Sequence, residues 1–243
     1  VLHELIVEAP ELGGSRRARV YVPAGADPNE PRPTLYLFDG QNVFGDDGSF
    51  CGGWQAHVAA DKLVAGKSAV APLIVGIDHG GEERIDELGP FGEGGRTDKL
   101  LAFMASRLIP TLSKRFAMIA GSVGAVVGGS SMGGLAAMYA HHRRPDVFGG
   151  ALCMSPSFWF ANAAIIDFVA RTPRPPISRI YLDCGVREGS GRMLPPVVQI
   201  EMLLRNRGYA EGELMWRQDA RGAHSEKHWQ RRLPKALRFM FRT

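Results

Sequence analysis

The chain has 243 residues, 45% apolar and 22% charged, the balance of an ordinary folded domain rather than a disordered chain. Its formal net charge of +4 is small for this length. No run reaches the ~18 uninterrupted apolar residues that a membrane helix requires.

One domain spanning 1–243 is expected. The opening VLHELIVEAP has neither the basic start nor the apolar run of a secretory signal, so a cytoplasmic location is expected, with room for a leader removed from a chain that does not begin with Met. Cys51, Cys153 and Cys184 are an odd number without metal-like spacing and read as buried reduced thiols. The basic residues Arg231, Arg232, Lys235, Arg238 and Arg242 alternate with Leu233, Leu237, Met240 and Phe241. That pattern predicts a terminal amphipathic helix with a solvated basic face, and the cluster is too thin for a nucleic-acid surface.

In chain order, extended segments are predicted at 2–8 and 16–22, and a buried strand at 35–39, LYLFD. WQAHVAADKLV has apolar residues at helical spacing, and SAVAPLIVGID contains a second buried strand. The Gly-rich, charged stretch 80–96 reads as a long surface loop. A helix, TDKLLAFMASRLIPTLSKRF, then leads to strand AVVGGS, helix SMGGLAAMYAHHRR, strand VFGGALCMS and helix AAIIDFVAR. Strand SRIYLDCG, helix PPVVQIEMLLRNR, strand ELMWRQ and the closing helix complete the chain. Such alternation implies an α/β fold, a mainly parallel central sheet with helices on both faces. No long helical insertion suggests a large lid domain. Ligands of such sheets sit at the carboxyl ends of the strands, here the loops after 39, 78, 129, 154, 184 and 218.

The run Gly129-Ser130-Ser131-Met132-Gly133 fits G-x-S-x-G centred on Ser131. It lies between a buried strand and a small-residue helix, the setting of a nucleophile elbow. The turn is tight, so only small residues fit two positions either side of the serine, and the helix N-terminus faces developing negative charge. Ser130 fails the same test because Met132 lies two residues on, and it reads as a small residue filling the turn.

A serine hydroxyl needs a base to take its proton. Partners of an elbow serine follow in the order acid, then histidine. His3, His57 and His79 precede Ser131, and His141 and His142 are too near it in sequence to fold back. His224, in the loop DARGAH after the last strand, is the expected base. His228, one turn into the closing helix, should face the surface; with His224 it has metal-like i,i+4 spacing but no evident third ligand, so no metal is expected. Two carboxylates compete as the orienting acid. Glu188, in the loop beyond Gly185, is favoured over Asp183, which still alternates with the strand on the face of Tyr181. A serine–histidine pair without an acid stands as a third arrangement. The oxyanion donors expected are the N–H of Met132 and, from the loop Asp39-Gly40-Gln41-Asn42, the N–H of Gln41, with Gly40 allowing close approach to substrate.

The phrases LFDGQNVF, GGWQAHVAADKLV, GGSSMGGLAAMYAHHRRPDVFGGALCMSPSFWF and GAHSEKHWQRRLPKAL resemble the putative-esterase family of α/β-hydrolases, from about residue 34 to 240. That family includes enterochelin esterases, S-formylglutathione hydrolases, bacterial feruloyl esterases and mycolyltransferases. The resemblance implies the α/β-hydrolase fold and a triad falling on Ser131, Glu188 and His224. It also implies cleft positions for Trp54 and Trp159, with core packing an equal alternative.

The expected activity is therefore that of a serine carboxylic-ester hydrolase working through an acyl-enzyme on Ser131. An acyltransferase of the same family, or a catalytically silent binding module, are the alternatives. No cofactor is implied. The expected partner is a small-molecule ester, with no nucleic acid and no membrane; the oligomeric state is open. Loops 43–53 and 80–96 are expected to rim an open cleft, contributing Phe44, Phe50 and Phe91 together with Asp46, Asp47, Glu82, Glu83 and Glu93.

Overall fold

A computed structural model describes residues 1–46, 49, 52–66 and 69–242. Asp47, Phe50 and Cys51, assigned above to the cleft rim and the thiols, lie outside the described residues. The first strands, β1 (Leu2–Ala9) and β2 (Gly14–Tyr21), form an antiparallel hairpin at one edge of the sheet. Next in the chain come β3 (Thr34–Phe38), β4 (Leu73–Ile77) and β5 (Ala125–Ser130). They are followed by β6 (Gly150–Met154), β7 (Arg179–Gly185) and β8 (Leu214–Asp219). The order across the sheet is β1-β2-β4-β3-β5-β6-β7-β8. From β4 to β8 every pairing is parallel, while β2 joins β4 antiparallel.

Strands β3 to β6 are buried at every residue, which explains their unbroken apolar runs. Alternate side chains serve two cores. Tyr36 and Phe38 pack on the side of α3 (Thr97–Phe103), α5 (Met132–Arg143), α6 (Phe160–Arg171) and α7 (Leu194–Asn206). Leu35 and Leu37 pack on the side of α1 (Ala56–Gly66) and α8 (Glu226–Met240). Cys153 and Cys184 are buried free thiols. Among the described residues, no helix is long and apolar enough to cross a membrane.

Three stretches differ from their sequence patterns. The presumed loop 80–96 contains a helix, α2 (Arg84–Leu88), anchored by buried Leu88 and Glu87. Glu87 pairs with Arg16 and accepts the Gly80 N–H at 2.9 Å, so its charge is met inside the protein. The single helix expected over 97–116 is interrupted: between α3 and α4 (Ile109–Ser113) lies a π turn, Met104–Leu108, in which the Ile109 N–H bonds Met104 O. Pro110 follows directly and has no N–H for the α-helical pattern, a known cause of such insertions. Arg232, assigned to the solvated face of α8, is 8% exposed. It belongs to the buried stripe of Trp229, Leu233, Ala236 and Leu237.

Candidate active site

Ser131 stands alone between β5 and α5, with φ 55° and ψ −122°. A non-glycine residue in that region is strained by about 1–3 kcal/mol and persists only where its surroundings impose it. The surroundings are visible. A Cβ on Gly129 would lie 2.7 Å from the Gly133 carbonyl carbon, and one on Gly133 would lie 3.3 Å from Phe38 Cβ. The Ser131 N–H bonds Met154 O at 3.1 Å, and Ser131 O accepts the Ser157 N–H at 2.9 Å and the Leu135 N–H at 3.1 Å. The turn is thus fixed from both sides while the side chain projects outward. Its Oγ shares a hydrogen bond with Ser157 Oγ at 3.1 Å, and none joins it directly to His224. Ser130 is buried, as a turn filler should be.

Glu188 and His224 meet although 36 residues separate them. The His224 Nδ1–H donates to Glu188 Oε2 at 2.9 Å, and the imidazole rests edge-on against Trp229, ring centres 4.9 Å apart. Glu188 is 1% exposed. Burial pushes its carboxyl up, but hydrogen bonds from His224 and Ser155, with the Arg232 charge, outweigh burial and hold it below the ordinary carboxylate value. Its loop is laid tightly on the histidine loop: a Cβ on Gly185 would lie 2.4 Å from both Gly222 O and Glu188 Oε1.

Asp183 points elsewhere. It accepts the Tyr181 hydroxyl at 2.9 Å and the Ser155 N–H at 3.1 Å, and is paired with Arg232. Complete burial raises it to about 6, against the opposing pull of Arg232, Tyr181 and Ser155. No hydrogen bond links it to His224.

On the other side of Ser131, Asp39 is not the end of β3 but a left-handed residue, φ 57°, opening a short 3-10 turn over Gly40–Asn42. Met132 and Gln41 each lie in the first turn of their helix, where N–H groups lack intrahelical acceptors. Gly40 has a different cause from the one the sequence suggested. A Cβ there would lie 2.7 Å from the backbone carbons of Gly76 and Ile77, so the loop crosses β4 too closely for any side chain. Gln41 bridges to His79 through its side chain, at 3.3 Å to the N–H and 3.5 Å to the carbonyl.

The two tryptophans separate. Trp54 is 3% exposed and packs against Trp229, ring centres 6.0 Å apart, so it is core; Trp159 is 50% exposed at the start of α6. Phe44, expected at the rim, is 5% exposed in the core, and Phe91 packs between Tyr139 and Phe168. His141 and His142 are buried in α5: His141 bonds Phe148 O and Ser178 Oγ, and His142 bonds Met138 O. His228 is half-buried on α8 beside the Arg231 guanidinium.

Three residues at the site were not singled out from sequence: Ser155, Arg232 and Arg84. For Arg232 a signal existed, since it falls on the apolar stripe of α8 and a charge there needs a partner.

The family model described as Putative esterase matches residues 9–240. The chain belongs to the Putative esterase family. Its architecture is the α/β-hydrolase fold, and its class is that of the esterases. A curated relative, the iron(III) salmochelin esterase of Escherichia coli O6:H1 (strain CFT073), is 30% identical over 67% of this chain and 36% of its own length. The enterobactin esterase of Shigella flexneri superposes with a TM-score of 0.80 at 21% identity, over 98% of this chain and 59% of that one. A ferulic acid esterase superposes with a TM-score of 0.78 at 19% identity, over 99% of this chain and 98% of that one. The chain therefore spans about a third of the salmochelin esterase and about three-fifths of the enterobactin esterase.

Proposed function

We propose that the protein hydrolyses small-molecule carboxylic esters through an acyl-enzyme on Ser131, with His224 as base and Glu188 as orienting acid. The observation that carries this reading is the 2.9 Å bond from His224 Nδ1–H to Glu188. It commits Nδ1 to donation and leaves Nε2 with a lone pair, the tautomer a general base requires. For the reaction Ser131 Oγ must leave Ser157 and turn to that nitrogen.

Ser131 Oγ then attacks the ester carbonyl carbon while His224 Nε2 takes its proton. The oxyanion accepts the N–H groups of Met132 and Gln41. Collapse breaks the bond to the leaving alkoxide, which receives the proton from His224. Water repeats the sequence on the acyl-enzyme, releasing the acid and restoring Ser131. Salmochelin, enterobactin and ferulic acid appear in the names of the relatives, so siderophore and feruloyl esters, with short-acyl esters, form the first substrate panel.

The test is covalent labelling by a fluorophosphonate probe together with hydrolysis of a chromogenic short-acyl ester. Wild type should label and hydrolyse, whereas His224→Ala should lose several orders of magnitude in turnover while keeping its melting temperature. A His224→Ala variant that hydrolysed at the wild-type rate would overturn the assignment.

A further inference from the structure

Behind the His224–Glu188 pair lies a buried polar cluster that the reaction as proposed leaves unused. Glu188 Oε1 accepts the Gly185 N–H at 2.8 Å, the Ser155 hydroxyl at 2.8 Å and Arg232 Nη2 at 3.4 Å. Ser155 Oγ in turn accepts the Trp229 Nε1–H at 3.0 Å and Arg232 Nη2 at 2.8 Å. Indole and guanidinium can only donate, so the single Ser155 proton must point at Glu188. Every donor around Oε1 is thereby fixed in direction, and Oε2 is left to face His224 alone.

The charges show what Arg232 does there. Asp183 and Glu188 are both fully buried, and the charge of Glu188 disfavours the ionisation of Asp183. Arg232 faces both, with Nε 3.4 Å from Asp183 Oδ2 and Nη2 3.4 Å from Glu188 Oε1. The other charged or titratable groups facing the cluster are Cys153 on β6, Tyr181 and Cys184 on β7, Arg217 on β8 and His224 itself. With Arg232 present the cluster of two carboxylates and one guanidinium carries a net charge of −1. Without it two buried carboxylates would share one site, and one of them would take up a proton.

We propose that Arg232 is a positioning residue for catalysis: it sits between Asp183 and Glu188, keeps both ionised, and with Ser155 holds Glu188 so that one oxygen is presented to His224. Arg232 touches neither Ser131 nor the reacting ester and acts through Glu188. The inference rests on the assignment of Glu188 as orienting acid.

The experiment compares Arg232→Met, Arg232→Lys, Arg232→Met/Asp183→Asn and Glu188→Gln in kcat, KM and the pH profile of kcat/KM on one chromogenic short-acyl ester, with melting temperatures. Arg232→Met should lower kcat by about 10²-fold, the scale of a misplaced catalytic group, with KM nearly unchanged. Its acid limb should move to higher pH, because the proton that the two carboxylates then share must be lost before Glu188 can accept from His224. Arg232→Lys should recover part of kcat. Arg232→Met/Asp183→Asn, which removes the carboxylate that competes with Glu188, should recover more and return the limb toward wild type. A purely structural arginine would instead leave the double variant as impaired as Arg232→Met. Should Arg232→Met fail to fold, Arg232→Lys and the double variant carry the same comparison. Wild-type kcat and pH profile in Arg232→Met, or no recovery in the double variant, would overturn the proposal provided Glu188→Gln is impaired. Wild-type turnover in Glu188→Gln would instead overturn the acid assignment on which it rests.

Discussion

Arg84 grips Asp39 with two parallel hydrogen bonds, Nε to Oδ1 at 2.6 Å and Nη2 to Oδ2 at 2.8 Å. The pair ties α2 to the left-handed residue that opens the Gln41 loop, and Asp39 Oδ2 lies within 3.5 Å of where a Gly133 Cβ would stand. One planar fork thus links the Gln41 loop to the elbow.

Removing that fork should cost turnover. Arg84→Met is expected to lower kcat by about 10- to 10²-fold, through a displaced Gln41 N–H, with little change in KM. Arg84→Lys should fall between, since an ammonium cannot hold two carboxylate oxygens in one plane. Steady-state kinetics on a short-acyl ester decide it; an unchanged kcat in Arg84→Met would show that the loop holds its position unaided.

The elbow register predicts opposite behaviour for adjacent serines. Ser131→Ala should abolish hydrolysis and fluorophosphonate labelling while leaving the fold intact, because Ser131 meets its neighbours chiefly through its backbone. Ser130→Ala should keep most activity. Labelling that survived in Ser131→Ala and vanished in Ser130→Ala would reverse the assignment.

Glu188→Gln should reduce turnover strongly, toward the ~10⁴-fold seen when an orienting acid is neutralised elsewhere. Asp183→Asn should do much less, since Asp183 meets Tyr181, Ser155 and Arg232 but not His224. Turnover and melting temperature for both variants test the order. Small losses in both would point to a serine–histidine dyad.

Acid should destabilise the fold through α5. Burial lowers His141 from 6.5 to about 3 and His142 from 6.5 to about 4. Between about pH 6.5 and 4 the unfolded chain binds protons that these folded histidines refuse, so their stabilisation, complete above 6.5, is lost as pH falls. Asp183, raised from 3.8 to about 6, acts in the opposite sense over 6 to 3.8 and offsets about one of the two protons. Melting temperature should therefore fall from pH 7 to 5, and His142→Leu should flatten that slope. An identical slope in wild type and His142→Leu would refute the assignment.

The strands, the tight turn at Ser131 and the loop that carries His224 were legible because each is a local pattern: an apolar run, two glycines around a serine, a stretch before a closing helix. The helix within 80–96 was not, because its anchor is Glu87, a residue that reads as surface until Arg16 and Gly80 meet it from elsewhere in the chain. Phe44 and Trp54 were ambiguous for a related reason. Nothing local tells whether an aromatic residue beside a loop turns toward a cleft or toward a core formed with Tyr21 and Trp229. Arg232 reads as surface by its charge, whereas its position on the α8 stripe is what buries it. In the sequence a single glycine separates the strand of Asp183 from the loop of Glu188, and Gly185 is where that loop meets the histidine loop.

The sheet order sets a span. Ser131 follows β5 and His224 follows β8, three strand spacings away, or about 14 Å. The five steps from Asp219 to His224 reach about 17 Å fully extended, and part of that length is folded into the turn that closes Gly222 N–H on Asp219 O. For the proposed pairing of His224 with Ser131, the histidine loop is a tether with almost no slack. Surface loops commonly absorb a residue more or fewer, but here a deletion would draw the imidazole away from Glu188, and an insertion would let it swing free of the same carboxylate. Length, as much as composition, is what this segment has to keep.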